Sequence, residues 1–353
     1  MEKRRKTIIL VVAIVLILVV VGVGVWMITG EKEPSHRDNY TNEDDTQNKE
    51  ESKDSQTEDK DKNEDDKTLE NKVVHNKVKY EYNDHLSNYL FLGIDRTEPV
   101  TQYEVRGGSG QSDAIYLVSH DRVKNTIKVL SIPRDSIVEI HTFSPAGTDL
   151  GYSQNHLSIQ YAFGDGKDES CRLTKEAVSK LLYNIPIQGY CSVNMEAIPV
   201  IAEALGGVEV TVPNNSLEAN YPEFKEGATV TITKSNAETF VRYRDIMVAH
   251  SAITRMERQK VFLKASADKA KSLVEKDANL IARVYESLQP YMVTNMGNDI
   301  FAKLSQTTFD STYKIQDVPG EKVEGERYDE YHVDKDKLYE LLLQMFYEEV
   351  QDK

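Results

Sequence analysis

A run of 21 residues without a charged side chain, at 8–28, is the feature that most constrains this chain. It consists almost entirely of Val, Ile and Leu, and as a helix rising about 1.5 Å per residue it would span the roughly 30 Å hydrocarbon layer. Four basic residues at 3–6 precede it and acidic residues follow it, which by the positive-inside rule places the N-terminus in the cytoplasm. The pattern predicts a single-pass cell-membrane protein with a cytoplasmic tail at 1–6 and a transmembrane helix at 7–29.

A cleaved signal peptide is the alternative interpretation of this segment. Such peptides have an apolar core of about 7–15 residues and a small-residue A-x-A exit, and neither feature is present. We therefore expect an uncleaved anchor, with everything after the span outside the membrane.

The next segment, 30–78, has the composition of a disordered linker. Within 31–72 acidic residues outnumber basic ones two to one, and Tyr40 and Leu69 are the only large apolar residues. A segment of this kind cannot bury enough surface to offset its chain entropy. We expect a tether with a span of about 35 Å, and an acidic recognition tail is the alternative.

The remaining residues, 79–353, are numerous enough to form one large extracytoplasmic domain with its own core. The net charge of the chain is −15, which argues against a nucleic-acid partner. Two cysteines, Cys171 and Cys191, without a CxxC pattern exclude a disulfide scaffold and a zinc ribbon. Whether these two form one disulfide outside the membrane stays open, because it depends on their separation in the fold.

The domain has the pattern of strands alternating with helices. Short segments rich in β-branched or aromatic residues predict strands at 89–92, 114–119, 126–132, 190–193, 208–212 and 229–232. Apolar periodicity and capping signals predict helices at 156–163, 173–182 and 195–205, from a capping box at 235–238, at 254–276, and after the N-cap residue Asp334. The fold class is therefore α/β: we expect a single α/β/α sandwich with a mixed central sheet, preceded by one transmembrane helix and a disordered linker.

Arginine is concentrated where the chain has no lysine. Arg242, Arg244, Arg255 and Arg258 lie within 17 consecutive residues that contain no Lys, although Lys is twice as common as Arg in the whole chain. The rigid guanidinium fork binds phosphate through two hydrogen bonds at once, which a lysine cannot do. The cluster indicates a phosphate-bearing ligand, although each arginine alone fits a structural ion pair equally well.

Acidic residues and further arginines follow or begin the predicted strands. Asp95 and Arg96 end one strand, Asp113 begins the next, and Arg134 and Asp135 end the third. Ligands of α/β sheets bind beyond the strand ends, and carboxylate oxygens suit a divalent cation that bridges to phosphate. No GxSxG, HExxH or Walker sequence is present, so nucleophilic catalysis by Ser or Cys has little support.

The order of these segments resembles the LytR–CpsA–Psr family of bacterial envelope proteins. The resemblance covers residues 85–265 and weakens toward the C-terminal helix. It rests on LGIDR at 92–96, SDAI at 112–115, LSIPRD at 130–135, ALGGVEV at 204–210, VRYR at 241–244 and RMERQ at 255–259.

The resemblance implies a phosphotransferase that moves a glycopolymer, such as teichoic acid or capsule, from a polyprenyl pyrophosphate carrier to peptidoglycan. The implied partners are the lipid-linked polymer, peptidoglycan and the bilayer. By motif matching, Asp95 and Asp113 would hold Mg²⁺, with Mn²⁺ as the alternative. The pyrophosphate would be bound by Arg134, Arg242, Arg244, Arg255 and Gln259, with Arg96 and Arg106 as further candidates, and catalysis would fall to Asp95, Arg134, Arg242 and Arg244.

Two other functions use the same residues and stay open. One is a metal-dependent hydrolase that releases the lipid head group to water, and the other is a non-catalytic module that binds the lipid carrier. The chain also departs from the family pattern, because Gln111 stands where an arginine is usual two residues before the second aspartate. Arg106 is the nearest cation that could compensate, and a mobile loop with Arg106 facing solvent is the alternative.

Overall fold

The computed structural model describes residues 69–243, 251–274, 277, 279–305, 307–309, 315–323 and 329–350. The predicted tail, transmembrane helix and most of the predicted linker lie outside these residues. Within them, no helix has the length and apolar character needed to cross a membrane.

Seven strands come first in the described chain, and helices and strands are interspersed after them. The strands are β1 (Lys72–His75), β2 (Val78–Tyr82), β3 (Leu86–Ile94), β4 (Ser112–Asp121), β5 (Thr126–Ser131), β6 (Ile137–Phe143), β7 (Asp149–His156), β8 (Gly189–Asn194), β9 (Val208–Thr211), β10 (Thr229–Ile232), β11 (Met292–Thr294), β12 (Thr308–Phe309), β13 (Gln316–Asp317), β14 (Gly320–Val323), β15 (Glu330–Val333) and β16 (Tyr347–Glu349). The helices are α1 (Asp168–Leu181), α2 (Ala197–Ala204), α3 (Ala237–Arg242), α4 (Ser251–Val274), α5 (Leu280–Leu288), α6 (Asn298–Ser305) and α7 (Lys335–Phe346). Short 3₁₀ segments lie at Leu157–Phe163, Pro222–Phe224 and Gln289–Tyr291.

The central sheet is mixed, as the sequence predicts. Its strand order is β11-β8-β3-β4-β5-β12, and β13 also pairs with β5. β4 is antiparallel to both β3 and β5, whereas β8 is parallel to β3. The C-terminal ends of β3, β5 and β8 and the N-terminal end of β4 therefore meet at one edge of the sheet, which we call the site edge.

Both faces of the sheet are covered by helices, and the strand side chains point alternately into the core on one face and the core on the other. Phe91 and Tyr116 belong to a core that packs against α2–α6, and Leu92 and Leu117 belong to a second core that packs against α1 and α7. Near-continuous apolar runs in β3 and β4 are what a sheet covered on both faces requires.

The fold begins before residue 79, the start predicted from composition. Leu69 is buried, and β1 pairs with β2, which in turn pairs with β16 from the C-terminal end. The predicted linker boundary at 78 is therefore about ten residues too late. Composition missed β1 because its apolar residues are few and stand among charged ones.

Most predicted elements are confirmed within a few residues, with two corrections. The segment 156–163 is a 3₁₀ helix, not an α-helix. The capping box at 235–238 does not form: Asn236 is the N-cap of α3 without a capping bond, and its side chain instead accepts a hydrogen bond from the Thr233 amide at 2.7 Å. Asp334 does cap α7, accepting from the Lys337 amide at 3.0 Å.

Cys171 and Cys191 are free thiols, and both are buried. Cys191 belongs to the core on one face of the sheet and Cys171 to the core on the other. The neighbour of Cys191 along β8, Ser192, is the residue that approaches the Cys171 thiol, at 3.4 Å. Strand alternation thus points Cys191 away from its predicted partner, and the disulfide left open by the sequence is not formed.

We expect both thiols to resist Ellman's reagent in the native protein. Burial raises the pKa of Cys171 to about 12 and that of Cys191 further still, so almost no reactive thiolate exists at neutral pH. The same protein denatured without a reductant should titrate two thiols per chain. Finding none in the denatured protein would contradict this prediction.

Candidate active site

The candidate site lies at the site edge, where three strands place charged residues next to one another. Asp95 follows β3, Asp113 is the second residue of β4, and Arg134 follows β5. The antiparallel pairing of β4 with both neighbours is what brings together residues up to 39 positions apart in the sequence.

Arg134 and Asp113 form a largely buried ion pair. The Arg134 Nη1 group donates to Asp113 Oδ1 at 2.6 Å, and only 26% and 13% of the two side chains are exposed. Asp135 also approaches the guanidinium, with 3.3 Å between Oδ1 and Arg134 Nε. One cation is therefore shared by two carboxylates in a poorly solvated position.

The electrostatics of this group show an excess of negative charge. Burial raises the pKa of Asp113 to about 6, Arg134 opposes that rise, and Asp95 and Asp135 add to it. Burial alone would lower the pKa of Arg134, but the combined attraction of Asp113, Asp135 and Asp95 raises it. A further cation would relieve the crowding of carboxylates.

Asp95 is exposed, and its carboxylate accepts a hydrogen bond from Gln111, the residue that stands where the family pattern has an arginine. The backbone N–H of Gln111 donates to Asp95 Oδ1 at 2.6 Å, and the backbone N–H of Asp95 donates to the backbone carbonyl of Gln111 at 3.1 Å. Gly110 permits this approach: its φ is +89°, and a Cβ there would lie 2.7 Å from both Asp95 Oδ1 and Arg96 Cγ. Gly110 ends the glycine-rich segment 107–110, and its contacts give that segment a defined conformation at this position.

Arg96 lies beside Asp95 and is tied to its own loop. It donates to the Tyr103 hydroxyl, and its Cζ lies 5.1 Å from the centre of the Tyr103 ring. The end of β8 holds the backbone of the same loop, because the Met195 amide donates to the Arg96 carbonyl at 2.7 Å and the Asn194 side chain donates to the Glu98 carbonyl.

Arg106 is held by contacts with α1 and with residues that precede this helix. It forms a two-pronged ion pair with Glu169 of α1, donates to the Phe163 carbonyl at 3.0 Å, and lies over the Phe143 ring at 5.2 Å. The alternative of a solvent-facing side chain is therefore wrong, and the charge of Arg106 is already paired with Glu169. Gln111 itself accepts from the Ser158 hydroxyl at 3.3 Å and brings no charge.

Arg242 extends the charged region across the end of β8. It donates to Glu238 at 2.5 Å, one helical turn earlier in α3. It also acts on Glu196, two residues beyond β8: burial, then Glu238, raises the Glu196 pKa, while Lys234 and Arg242 oppose the rise. Arg242 is therefore within electrostatic reach of Glu196, the residue two positions beyond the end of β8.

The other members of the arginine cluster divide into different roles. Arg258 is 1% exposed and donates to the carbonyls of Phe240, at 2.8 Å, and Tyr243, and to the Ser216 hydroxyl. It is structural. Arg255 is half-buried one turn earlier on α4 and is close enough to contribute, after burial, to lowering the Arg258 pKa to about 10. Arg244 and the side chain of Gln259 lie outside the described residues.

Sequence reasoning missed the residues that position this site. The loops that carry the charged residues and Gln111 are held in place by residues from four different segments: Gly110, Tyr103, Asn194 and Ser158. A glycine next to a charged strand end was the one signal that could have indicated a close backbone approach. The others show no pattern in the sequence, because their partners are far away along the chain.

This mixed α/β domain, with acids and arginines gathered at one edge of its sheet, has the site geometry of a phosphate-binding protein. The chain belongs to the LytR_cpsA_psr family, whose model matches residues 41–346.

Among curated relatives, the chain is 31% identical over 189 residues to the polyisoprenyl-teichoic acid–peptidoglycan teichoic acid transferase TagV of Bacillus subtilis. That match covers 52% of this chain and 43% of TagV, less than half of the relative's length. TagT of the same organism, which carries the same activity name, is 28% identical over 269 residues, covering 74% of this chain and 75% of TagT.

The crystal structure of protein gbs0355 from Streptococcus agalactiae shares the fold. The TM-score is 0.52 at 20% identity, and the match covers 74% of this chain and 86% of that one.

Proposed function

We propose that this protein is a phosphotransferase that attaches a glycopolymer, carried on polyprenyl pyrophosphate, to peptidoglycan. The observation that carries the proposal is the convergence of Asp95, Asp113 and Arg134 at the site edge. Membership of the family and the activity named for TagV and TagT support the same reaction.

The residues present suit a displacement at phosphorus without a covalent enzyme intermediate. A sugar hydroxyl of the acceptor attacks the polymer-linked phosphorus, the phosphoanhydride bond breaks, and polyprenyl phosphate leaves. Negative charge grows on the non-bridging oxygens during this step. Arg134, Arg242 and Arg255, together with Arg244 and Gln259, would bind these oxygens and stabilise the transition state.

Mg²⁺ fits the donor set at the site edge. Among the described residues, Asp95 and Asp113 each use Oδ1 in a hydrogen bond, so the second oxygen of each is the one available to a cation. No group of three or more His, Cys, Asp or Glu in a metal-binding arrangement occurs in the described part of the chain. Mg²⁺ is commonly bound by one or two carboxylates, and its coordination is completed by substrate phosphate and water. When bound, the ion would neutralise charge on the pyrophosphate, and Mn²⁺ would suit the same oxygens.

The location follows from the same proposal. A donor on a polyprenyl carrier lies in the membrane, and the charge-free run at 8–28 would hold the catalytic domain on its outer side. The acidic linker would then set the reach of the domain to the lipid head group.

The full-length chain in detergent micelles tests this function directly. We expect a lipid-pyrophosphate oligosaccharide to be consumed with Mg²⁺ only when a peptidoglycan oligomer is present, and the product to be the joined polymer. Equal consumption without an acceptor would instead identify a hydrolase. Tight donor binding without turnover would identify a binding module.

Asp95→Asn and Asp113→Asn should each reduce Mg²⁺-supported turnover about 10²-fold, because each removes a negative ligand without changing side-chain size. The concentration of Mg²⁺ that gives half-maximal activity should rise in both variants. The melting temperature should stay close to unchanged in Asp95→Asn, whose carboxylate is exposed, and should fall in Asp113→Asn, which also loses the buried ion pair with Arg134. Asp299→Asn is the matched control, since Asp299 is exposed and forms an ion pair with Lys303 one turn later on α6. Full activity in either test variant would remove that aspartate from the site.

A further inference from the structure

A cavity lies between the β6–β7 hairpin and α1, and none of the described residues assigned to phosphate binding line it. Its volume is about 260 Å³. The hairpin contributes Glu139, His141 and Tyr152 to its lining, and α1 contributes Glu176 and Lys180. We call it the hairpin cleft.

The hairpin side of the cleft carries a row of aromatic rings that ends at the surface. The Tyr152 ring stacks on His141 with 4.5 Å between centres and 20° between planes, and Phe143 lies 4.4 Å beyond His141. His141 Nε2 lies 2.9 Å from Asp149 Oδ1, which holds the middle ring in place. Tyr152 nevertheless stays 62% exposed. The Tyr152 ring is held by stacking on His141 and keeps most of its surface exposed, so it can pack against an apolar face of a ligand.

The polar groups of the cleft include two carboxylates, Glu139 and Glu176. Glu139 is held by an ion pair with Lys180, whose ammonium also lies 5.4 Å from the centre of the Tyr152 ring. Glu176 is exposed, and its carboxylate makes no ion pair and no hydrogen bond with the described residues. A free carboxylate beside an exposed ring accepts strong hydrogen bonds from hydroxyl groups.

We propose that the hairpin cleft binds a neutral glycan chain. A pyranose ring offers an apolar C–H face to Tyr152 and hydroxyl groups to the Glu176 carboxylate, and its other hydroxyls suit the polar side chains that line the rest of the cleft. Two carboxylates against one ammonium disfavour a phosphate-rich polymer, because like charges at close range cost affinity. Given the proposed function, the occupant is therefore the acceptor glycan rather than the anionic polymer being transferred.

The hairpin cleft is connected to the site edge through the base of the hairpin. The Leu157 amide donates to the Ser136 carbonyl and the Ser158 amide to the Arg134 carbonyl, both at 2.9 Å. Glu139 is three strand positions from Ser136, or roughly 10 Å along β6. A glycan of a few sugars held in the cleft could thus continue toward Arg134.

Titration calorimetry of the full-length protein in micelles with chitotetraose, without metal or donor, tests this assignment. We expect saturable binding that Tyr152→Ala weakens roughly tenfold, because it removes the stacking surface. Tyr152→Phe keeps the ring and should bind almost as well as the wild type. Val123→Ala, at an exposed valine in the β4–β5 turn, is the control and should bind as the wild type does.

Two results would overturn the assignment: binding unaffected by Tyr152→Ala, or poly(glycerol phosphate) binding more tightly than chitotetraose in a manner that depends on Tyr152. Because the measurement contains no donor, it separates the two proposals. Tyr152-dependent glycan binding in a protein that transfers nothing would contradict the proposed function alone. Normal transfer without such binding would contradict the cleft assignment alone.

Discussion

Arg134→Ala should lower kcat/KM for glycopolymer transfer about 10³-fold at saturating Mg²⁺. Arg134 is the cation at the centre of the carboxylate group, and under the proposed function it would contact the phosphate on which charge grows. Arginines in this role contribute factors of 10³ or more in phosphoryl transfer. The variant also leaves Asp113 buried without its ion-pair partner, so that donor binding weakens together with catalysis.

Two matched variants separate charge from geometry at this position. Arg134→Lys keeps the charge and loses the fork, so its activity should lie between those of the wild type and Arg134→Ala. Arg122→Ala is the control: Arg122 follows the opposite end of β4, where it donates to the carbonyls of His85, at 2.9 Å, and Asp84, at 2.5 Å. Arg134→Ala with activity within tenfold of the wild type would show that Arg134 is a structural ion pair.

Arg258→Ala should destabilise the folded protein by about 3–5 kcal/mol, as expected when a buried charged network loses its centre. The change leaves the carbonyls of Phe240 and Tyr243 without the donor that satisfies them at the end of α3. Urea unfolding of the full-length chain in micelles, followed by circular dichroism, gives the measurement.

Arg258→Met restores the apolar stem without the guanidinium and should recover the packing part of the loss but not the hydrogen bonds. Arg283→Met is the control, because Arg283 forms an exposed pair with Asp277 and its loss should cost under about 1 kcal/mol. A loss below about 1 kcal/mol in Arg258→Ala would contradict the structural role. Since α3 carries Arg242, we also expect reduced activity in Arg258→Ala at temperatures where it is still folded.

The arginine cluster illustrates how far sequence reasoning reaches. Composition identified Arg242, Arg255 and Arg258 as a group suited to phosphate, but it gave all of them equal standing. Among the described residues, the structure separates Arg258, which donates to backbone carbonyls at the end of α3, from Arg242, which pairs with Glu238. Nothing in the spacing of three arginines tells which side of α4 faces a neighbouring helix end.

Arg106 and Gln111 illustrate the same limit in one loop. Proximity along the chain suggested that Arg106 supplies the charge that Gln111 lacks. Its actual partner, Glu169, is 63 residues away, and no local pattern connects them. The hairpin cleft was also invisible to sequence reasoning, since its two walls come from separate segments.

The sequence by itself determined six strands of the domain and most of the longer helices, the mixed α/β class and the family. Period, turn residues and short ordered motifs such as LSIPRD at 130–135 are local, and each can be recognised within a dozen residues. The tertiary structure alone decided that Cys171 and Cys191 lie on opposite faces of the sheet, that Arg106 pairs with α1, and that Asp113 shares Arg134 with Asp135. Those outcomes depend on strand register and on contacts between distant segments, which are set by the packing of the whole domain and not by any segment alone.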